Sequence, residues 1–583
     1  MTPRKKPAPS SDAEPLPGNV ARSAHATLRS YAVGALPILN HLLQRTQLAE
    51  ILQAYLPQQD RRVSPPPVKV LLALVRNLLV AREPIYGLGA WAARYAPDLL
   101  DLAAEELPRL NDDRGGRCLD QLFLADIPSL SLAFATGVVR AFQVELAELH
   151  NDSTTITFSG AYSHATAEKR YLGRPTLAIT FGHNKDHRPD LKQLLYLLTV
   201  SEDGGVPLHF SAKNGNTADD QTHRETWDLL CKLAGRCDFL YVADCKLASR
   251  DNLAYLAQRG GRFVTVLPRT RSEDAAFRQR LRAGQVRWQA LWDKTDEQGE
   301  VCDRFSICDE PAVTAEGYRL LWYHSTHKAE LDAATRATQV ERALQRLGHL
   351  RQKLLAPRTR YRQAEKVQRA VDEILAAGDV ADFLRVEVLP REQEHFRQEK
   401  RGRPGPETRY VKSVRTRFDL RYEAEPVRMA AESVTDGVFP LVSNAPELTP
   451  REVLHSYKRQ PTIEKRFAQL KTDFAVAPVY LKEARRIEAL LAVYFFALVV
   501  EALLERELRQ AMQRAGIEAL PLYPEGRSCR SPTARRILDL FEDVQRHELH
   551  SGNGPPTVMV TQLTPLQRKI LKLLGLSREN YGH

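Results

Sequence analysis

Three acidic residues, far apart in the chain, have the types and settings that metal-dependent phosphoryl chemistry needs. Asp152 sits inside the β-branched stretch "LHNDSTTI", Asp244 ends the short apolar run "FLYVAD", and Glu464 lies in "PTIEKRFAQLKTDF". A carboxylate within a strand is costly unless it is paired or bound to metal. One at the carboxyl end of a strand lies where α/β sites gather. In the third segment Ile463, Phe467, Leu470 and Phe474 recur on one helix face, and Glu464 borders it. In-line attack on a phosphodiester needs the attacking oxygen activated and the leaving oxygen steadied, which a pair of Mg²⁺ ions can do. Mg²⁺ takes oxygen ligands, so a protein supplies a few carboxylates. Taken singly, each strand Asp reads equally well as a turn or edge residue.

The segment before Glu464 is the most specific. Thr449-Pro450-Arg451-Glu452 has the form of a capping box with proline at the first helical position. The helix it starts runs through Tyr457 to Pro461, which either opens a second helix or kinks a continuous one. If it opens one, Glu464 lies near the first turn, where the helix dipole favours the ionised form. Lys471 follows seven residues on, about 10 Å along the same face. It reads as a phosphate ligand or as a solvated surface lysine.

The elements that must position these residues form a recognisable order. Residues 1–26 read as a disordered basic tail, and 27–143 as a helical domain that either simply packs or recognises DNA ends. From Val144 the pattern turns to strands: "ELAELHNDSTTITFSG", then "TLAITFG", then "KQLLYLLTVSEDGGVPLHFSAKNGN" folded at Asp203-Gly204-Gly205. A helix, "DFLYVAD", the helix "ASRDNLAYLAQRG" and the strand "RFVTVLP" follow. Three antiparallel strands, then helix, strand, helix, strand, is the order of an α/β RNase H-like core. We place its first part at 144–269, an inserted α+β domain between the second Asp and the Glu at 270–435, the rest of the core at 436–510 and a helical region at 511–583.

The chain of 583 residues is 43% hydrophobic and 27% charged, which suits several globular domains. Its net charge of +11 favours an anionic partner. No secretory signal is expected, and the apolar run Ile487 to Leu504, interrupted by Glu488 and Glu501, reads as a buried helix, so no membrane is expected. Seven cysteines without a CxxC pair suggest reduced thiols in a cytoplasm and argue against structural zinc.

Tyr457, Glu464 and Lys471 have the spacing of the Tyr, Arg, Glu, Lys signature of DDE transposases from bacterial insertion sequences, with Gln460 at the Arg position and Arg459 just before it. "GHNKDHRPDLKQL", "DGGVPLHFSAKNGNTAD", "VADCKLASRDNL", "LVSN" and "YKRQPTIEKRF" also resemble that group, namely insertion-sequence family four and its sixteen-thirty-four-type relatives. The similarity spans about 150 to 505 with interruptions. It implies an RNase H-like catalytic domain, an insertion domain, and two Mg²⁺ ions, for which Mn²⁺ substitutes. Asp152 would lie between the metals, and Asp244 and Glu464 would each hold one. Tyr457, Lys471 and, in place of the missing arginine, Arg459 would meet the DNA backbone. The implied activity is cleavage at element ends and strand transfer into target DNA. Double-stranded DNA, as terminal repeats and target, would be the partner of a synaptic homodimer in a bacterial cytoplasm, associated with the nucleoid. The alternatives are a nuclease of the same fold that does not join strands, or an inactive DNA-binding descendant.

Three secondary features stand apart. Arg401 and Arg403 in Lys400-Arg401-Gly402-Arg403-Pro404 resemble the core of an AT-hook, thin enough for an A·T-rich minor groove, or form a solvated basic loop. His183 and His187 lack the Glu a zinc protease needs and suit a hydrogen-bonded loop near the site. Trp288, Trp292 and Trp322 read as core or as a platform for a flipped base.

Overall fold

Strand β1 (Glu148–Phe158) is buried almost throughout, as its run from Ser153 to Ile156 leads one to expect. In the computed structural model, which describes residues 27–58, 63–296, 299–474, 481–523, 525–551 and 555–582, it is an interior strand of a mixed sheet. The tail 1–26 lies outside the described residues. Strands β2 (Lys192–Ser201) and β3 (Pro207–Asn214) form the expected hairpin, with Gly204 and Gly205 both at positive φ in its turn. Helix α1 (His223–Ala234) leads to β4 (Leu240–Ala243), and α2 (Arg250–Gln258) to β5 (Arg262–Val266). Strands β4 and β5 run parallel to one another, and β4 runs parallel to β1. The segment "TLAITFG" is not a strand; it makes a single bridge, Thr180 to Gln193.

The sheet does not stop at β5. Strands β6 (Trp288–Thr295), β7 (Val301–Cys308) and β8 (Arg319–Ser325) extend it. With the later β11 below, the spatial order is β3-β2-β1-β4-β5-β11-β8-β7-β6, and Ala312–Val313 pairs with β8 as a tenth strand. The stretch beginning at 270 is thus partly sheet, because its strands pair with a strand far later in the chain. The remainder is a satellite with its own core: helices α3 (Thr326–Leu355) and α4 (Ala364–Gly378) bury Leu347 and Val371 against the hairpin β9 (Leu384–Gln398) and β10 (Tyr410–Ala424). The chain returns through β11 (Val438–Ser443), which pairs with both β5 and β8. Helices α5 (Pro450–Lys458) and α6 (Pro461–Ala468) follow, so Pro461 opens a second helix. Val453 and Leu454 of α5 pack on Val242, Val264 and Leu441 of the sheet.

Everything above belongs, with minor exceptions at its edges, to one of two compact units, Val144–Thr157 with Thr180–Ala468. The other gathers Met1–Gln143, Phe158–Ile179 and Gln469–His583. It is mostly helical but contains a three-stranded sheet, in which Thr27–Ala32 pairs with Gln545–His550 and that strand with Thr557–Val560. This corrects the all-helical expectation for 27–143 and 511–583. The pairing joins opposite ends of the sequence, which no local periodicity reveals. Ala484–Arg514 is long and apolar enough to cross a membrane, but its apolar stretch is buried inside this unit.

Glu488 on that helix is half-buried and accepts a hydrogen bond from the Leu177 N–H at 2.6 Å. Burial pushes its carboxyl up to about 7. Between the ordinary glutamate range and that value the folded protein keeps a proton the unfolded chain releases, so stability falls as pH rises through this window. The Glu488→Gln protein is expected to exceed wild type by up to about 3 kcal/mol near pH 8 and to match it near pH 4, read from urea melts.

Cys231 and Cys237 are joined as a disulfide, contrary to the expectation of reduced thiols throughout. Gly235, in the left-handed region after α1, turns the chain back so that the two Cα atoms lie 4.8 Å apart.

Candidate active site

The register of β1 and β4 brings the two strand aspartates together. Asn151 pairs with Ala243, so Asp152 and Asp244 are the next residues of neighbouring parallel strands, about 5 Å apart across the ladder. Burial and a neighbouring acid shift both carboxyls in one direction, Asp244 acting on Asp152 and Asp219 on Asp244. Burial pushes Asp152 above the ordinary range, and Asp244 adds to this against the pull of Lys185. Asp244 is likewise raised by burial, opposed by the Lys246 N–H bond and by Lys185.

Lys185 is the cation of this cluster. Its ammonium lies 3.2 Å from Asp152 Oδ1 and 3.3 Å from Asp219 Oδ2, and donates to the Ser153 carbonyl at 2.7 Å. Burial disfavours its charge, but Asp152, Asp219 and Asp244 hold its pKa above the usual lysine value. Ser153 Oγ donates to Asp219 at 2.9 Å, which fixes the fourth acid. The loop carrying Lys185 is ordered by Asn184. Its side-chain oxygen accepts from the N–H groups of Asp186 and Arg188, and its amide donates to Gln193 at 2.9 Å. The histidine-rich segment is therefore a hydrogen-bonded loop beside the acids. Lys185 and Asp219 escaped the sequence reading; a lysine in a block of polar residues just upstream of a buried strand was the available signal.

Glu464 lies on a helix pair anchored to the face of β1 that bears Asp152. Glu148, His150 and Asp152 alternate onto one face of that strand. Arg459, at the end of α5, grips Glu148 through Nε at 2.8 Å and Nη2 at 2.5 Å, and Ser456 Oγ donates to the same carboxylate at 2.9 Å. Burial alone would raise Glu148, but His150 and Arg459 hold it down to about 2. Gln460 is buried with its Oε1 3.2 Å from His150 Nδ1. On α6, buried Arg466 donates to the carbonyls of Gly204 at 2.9 Å and Gly205 at 2.8 Å. A Cβ at Gly205 would lie 2.4 Å from the Thr462 methyl, so the hairpin turn and α6 approach as closely as glycine permits. Ile463 and Phe467 face inward and Glu464 is exposed. The Tyr457 hydroxyl is pushed up to about 12 by burial and by the charges of Asp244, Glu464 and Asp152, so it lies within the field of all three acids.

The fork of Arg459 is thus engaged by Glu148, and Gln460, at the signature's arginine position, is buried beside His150. The Arg459→Ala protein is expected to lose about 1–3 kcal/mol of stability, allowing for a guanidinium that is partly solvated. Its affinity for duplex DNA should stay within about twofold of wild type. A large loss of affinity at unchanged stability would support the phosphate role.

Helix α6 ends at Ala468, and Lys471 lies in the π-helical turn Gln469–Asp473, which belongs to the other unit. The uninterrupted helical spacing expected between Glu464 and Lys471 is broken there. Arg401 and Arg403 are exposed in the turn between β9 and β10. Trp322 is buried and stacked on Phe277 with ring centroids 3.8 Å apart, and Trp292 stacks on Phe305 at 5.1 Å, so both serve packing. Trp288 meets Phe277 edge-on.

The donor set consists of carboxylate oxygens, the kind a hard divalent cation takes, and the raised pKa values of Asp152 and Asp244 mark acids short of positive charge. Lys185 supplies that charge here. Among the described residues no three His, Cys, Asp or Glu side chains stand close enough together to hold a metal ion as they are arranged. No protein-family model and no curated protein matches the chain. Among solved structures it is similar, at 12% identity and a TM-score of 0.26, to the piggyBac transposase in a synaptic complex with hairpin DNA. That match covers 49% of this chain and 60% of the other, so the chain spans less than two thirds of that protein's matched structure.

Proposed function

We propose that the protein is a DDE-type transposase built on an RNase H-like core, cutting DNA at the ends of a mobile element and joining them to target DNA. The observation that carries this reading is the register of neighbouring parallel strands that sets Asp152 beside Asp244, with the Lys185 ammonium on Asp152 and Asp219. Supporting it are the strand order β3-β2-β1-β4-β5 with β4 and β5 parallel to β1, the intervening satellite, and the sequence blocks that resemble the insertion-sequence group.

In this reading Asp152 and Asp244, with Glu464, hold divalent metal, Mg²⁺ or Mn²⁺. Such ions, when bound, activate the attacking oxygen and steady the leaving one. The chain's own residues position and neutralise. Lys185 pairs with both Asp152 and Asp219 in the absence of metal. Tyr457 presents a hydroxyl that stays protonated at neutral pH and so donates to a phosphate oxygen without adding charge. The clamp between Arg459 and Glu148 and the seat of Arg466 on Gly204 and Gly205 hold Glu464 in register with the strand acids. Freeing a 3′-hydroxyl and directing it at target DNA needs two ends together, which calls for a dimer on DNA.

The test is cleavage of duplex DNA carrying the element's own ends, with Mg²⁺ or EDTA, for wild type and Glu464→Ala. Metal-dependent nicking at the terminus, lost in the variant, supports the reading. End binding without cutting in either protein overturns it in favour of a DNA-binding descendant, and cutting without joining in favour of a nuclease.

A further inference from the structure

The hairpin of β9 and β10 has two unlike faces. Its 15 cross-strand pairs run from Leu384 with Ala424 to Gln398 with Tyr410. At the base Leu384, Phe418 and Leu420 are buried in the satellite core. From Arg391 paired with Arg417 outward, the ribbon is exposed on both faces apart from the half-buried Arg417 and Gln398. Those eight pairs extend about 25 Å. Residues opposite one another share a face and alternate along each strand. One face therefore carries Arg391, Arg397, Arg409, Arg415 and Arg417, with Glu399 as its sole acid. The other carries Glu392 and Glu394, the latter ion-paired to Lys412, beside Phe396, Val414 and Tyr410.

The arginines divide by position. Arg391 pairs with Asp419 at 2.6 Å and Arg417 donates to the Ala356 and Pro357 carbonyls, which root the ribbon. Among the described residues Arg397, Arg409 and Arg415 have no ion pair, and all three are exposed. Beyond them the turn presents Arg401-Gly402-Arg403-Pro404, where a Cβ at Gly402 would meet nothing within 4 Å. A two-stranded ribbon unsupported on either face is marginal in water. One whose charge is sorted onto one side fits a polyanion there.

We infer that this ribbon is a duplex-DNA arm: Arg397, Arg409 and Arg415 track phosphates, and the Arg401–Pro404 tip enters an A·T-rich minor groove. Duplex DNA has the charge density to engage three arginines along this length, and a narrow A·T minor groove attracts arginine without base-specific hydrogen bonds. The choice of DNA rests on the function proposed above; the arm itself rests on the sorted faces.

The test is equilibrium binding of the full chain in EDTA to A·T-rich and G·C-rich duplexes of about 25 base pairs at several salt concentrations. The combined Arg397→Ser, Arg409→Ser, Arg415→Ser variant is expected to bind both duplexes at least about tenfold more weakly, and to flatten the slope of log K against log salt by about 2 to 3. Lysines at the same positions should restore most of the affinity. Arg401→Ala with Arg403→Ala should erase the preference for the A·T-rich duplex. Glu392→Gln with Lys412→Gln, on the opposite face, should change neither. An unchanged slope in the serine variant, failure of lysine to rescue, or an equal loss in the opposite-face variant overturns the arm. If wild type nevertheless binds and cuts DNA, the proposed function survives that result; if wild type binds neither duplex, both fall.

Discussion

The Asp244→Asn protein is expected to melt higher than wild type in EDTA and to have lost DNA cutting. Both effects come from one carboxylate. Burial holds the Asp244 carboxyl above the usual aspartate range, with Asp219 adding repulsion. The folded state therefore disfavours the ionised form. Stability is fullest at pH below the unfolded-state value and falls as pH rises through the folded-state value, so at neutral pH the charge is a standing penalty. Asparagine is isosteric, keeps an oxygen to accept the Lys246 N–H at 3.0 Å, and removes the charge. The gain should be on the order of 1 kcal/mol, with a flatter dependence on pH across the acid range. Cutting should fall by at least about a thousandfold, since metal-assisted charge stabilisation contributes several kcal/mol to such a transition state. Added Mn²⁺ should raise the melting temperature of wild type and leave that of the variant almost unmoved. A variant less stable than wild type in EDTA would show that Asp244 is a structural acid.

This coupling of strain to function explains what the sequence made legible. Asp152 and Asp244 were visible because each breaks a local rule, a charged residue in a run that otherwise reads as buried strand. Glu464 was visible through the capping box at Thr449 and the apolar face of Ile463 and Phe467, both of which the structure contains. What stayed hidden depended on partners distant in sequence. Glu148, 311 residues earlier, cannot be seen as the partner of Arg459 from local pattern. The strands from Trp288 to Ser325 looked like the start of a separate domain because β11, which joins them to the sheet, comes after the satellite. Lys185 belongs to the same class: its meaning comes from Asp152 and Asp219, one on a strand and one in a turn beyond the next hairpin.

Lys185→Met is expected to destabilise the metal-free protein by about 2–4 kcal/mol, because it leaves Asp152 and Asp219 facing one another without a cation in a largely buried setting. Methionine keeps the length and apolar stem of lysine, so packing of the side chain is not the variable. The ammonium and a divalent ion compete for the same carboxylate oxygens. Removing the ammonium should therefore lower the Mn²⁺ concentration for half-maximal thermal stabilisation, by about tenfold, and the metal should return most of the lost stability. Asp219→Asn separates the two parts of this effect. It removes one acid while leaving Lys185 on Asp152, so it should relieve repulsion in EDTA without tightening Mn²⁺. If Lys185→Met is as stable as wild type in EDTA, the ion pairs at 3.2 and 3.3 Å contribute nothing, and Asp152 must be neutralised by its own proton instead. That outcome is itself distinguishable: burial already raises the Asp152 carboxyl, so an Asp152 neutralised by its own proton would make stability fall steeply as pH rises above the aspartate range, whereas the pull of Lys185 flattens that fall.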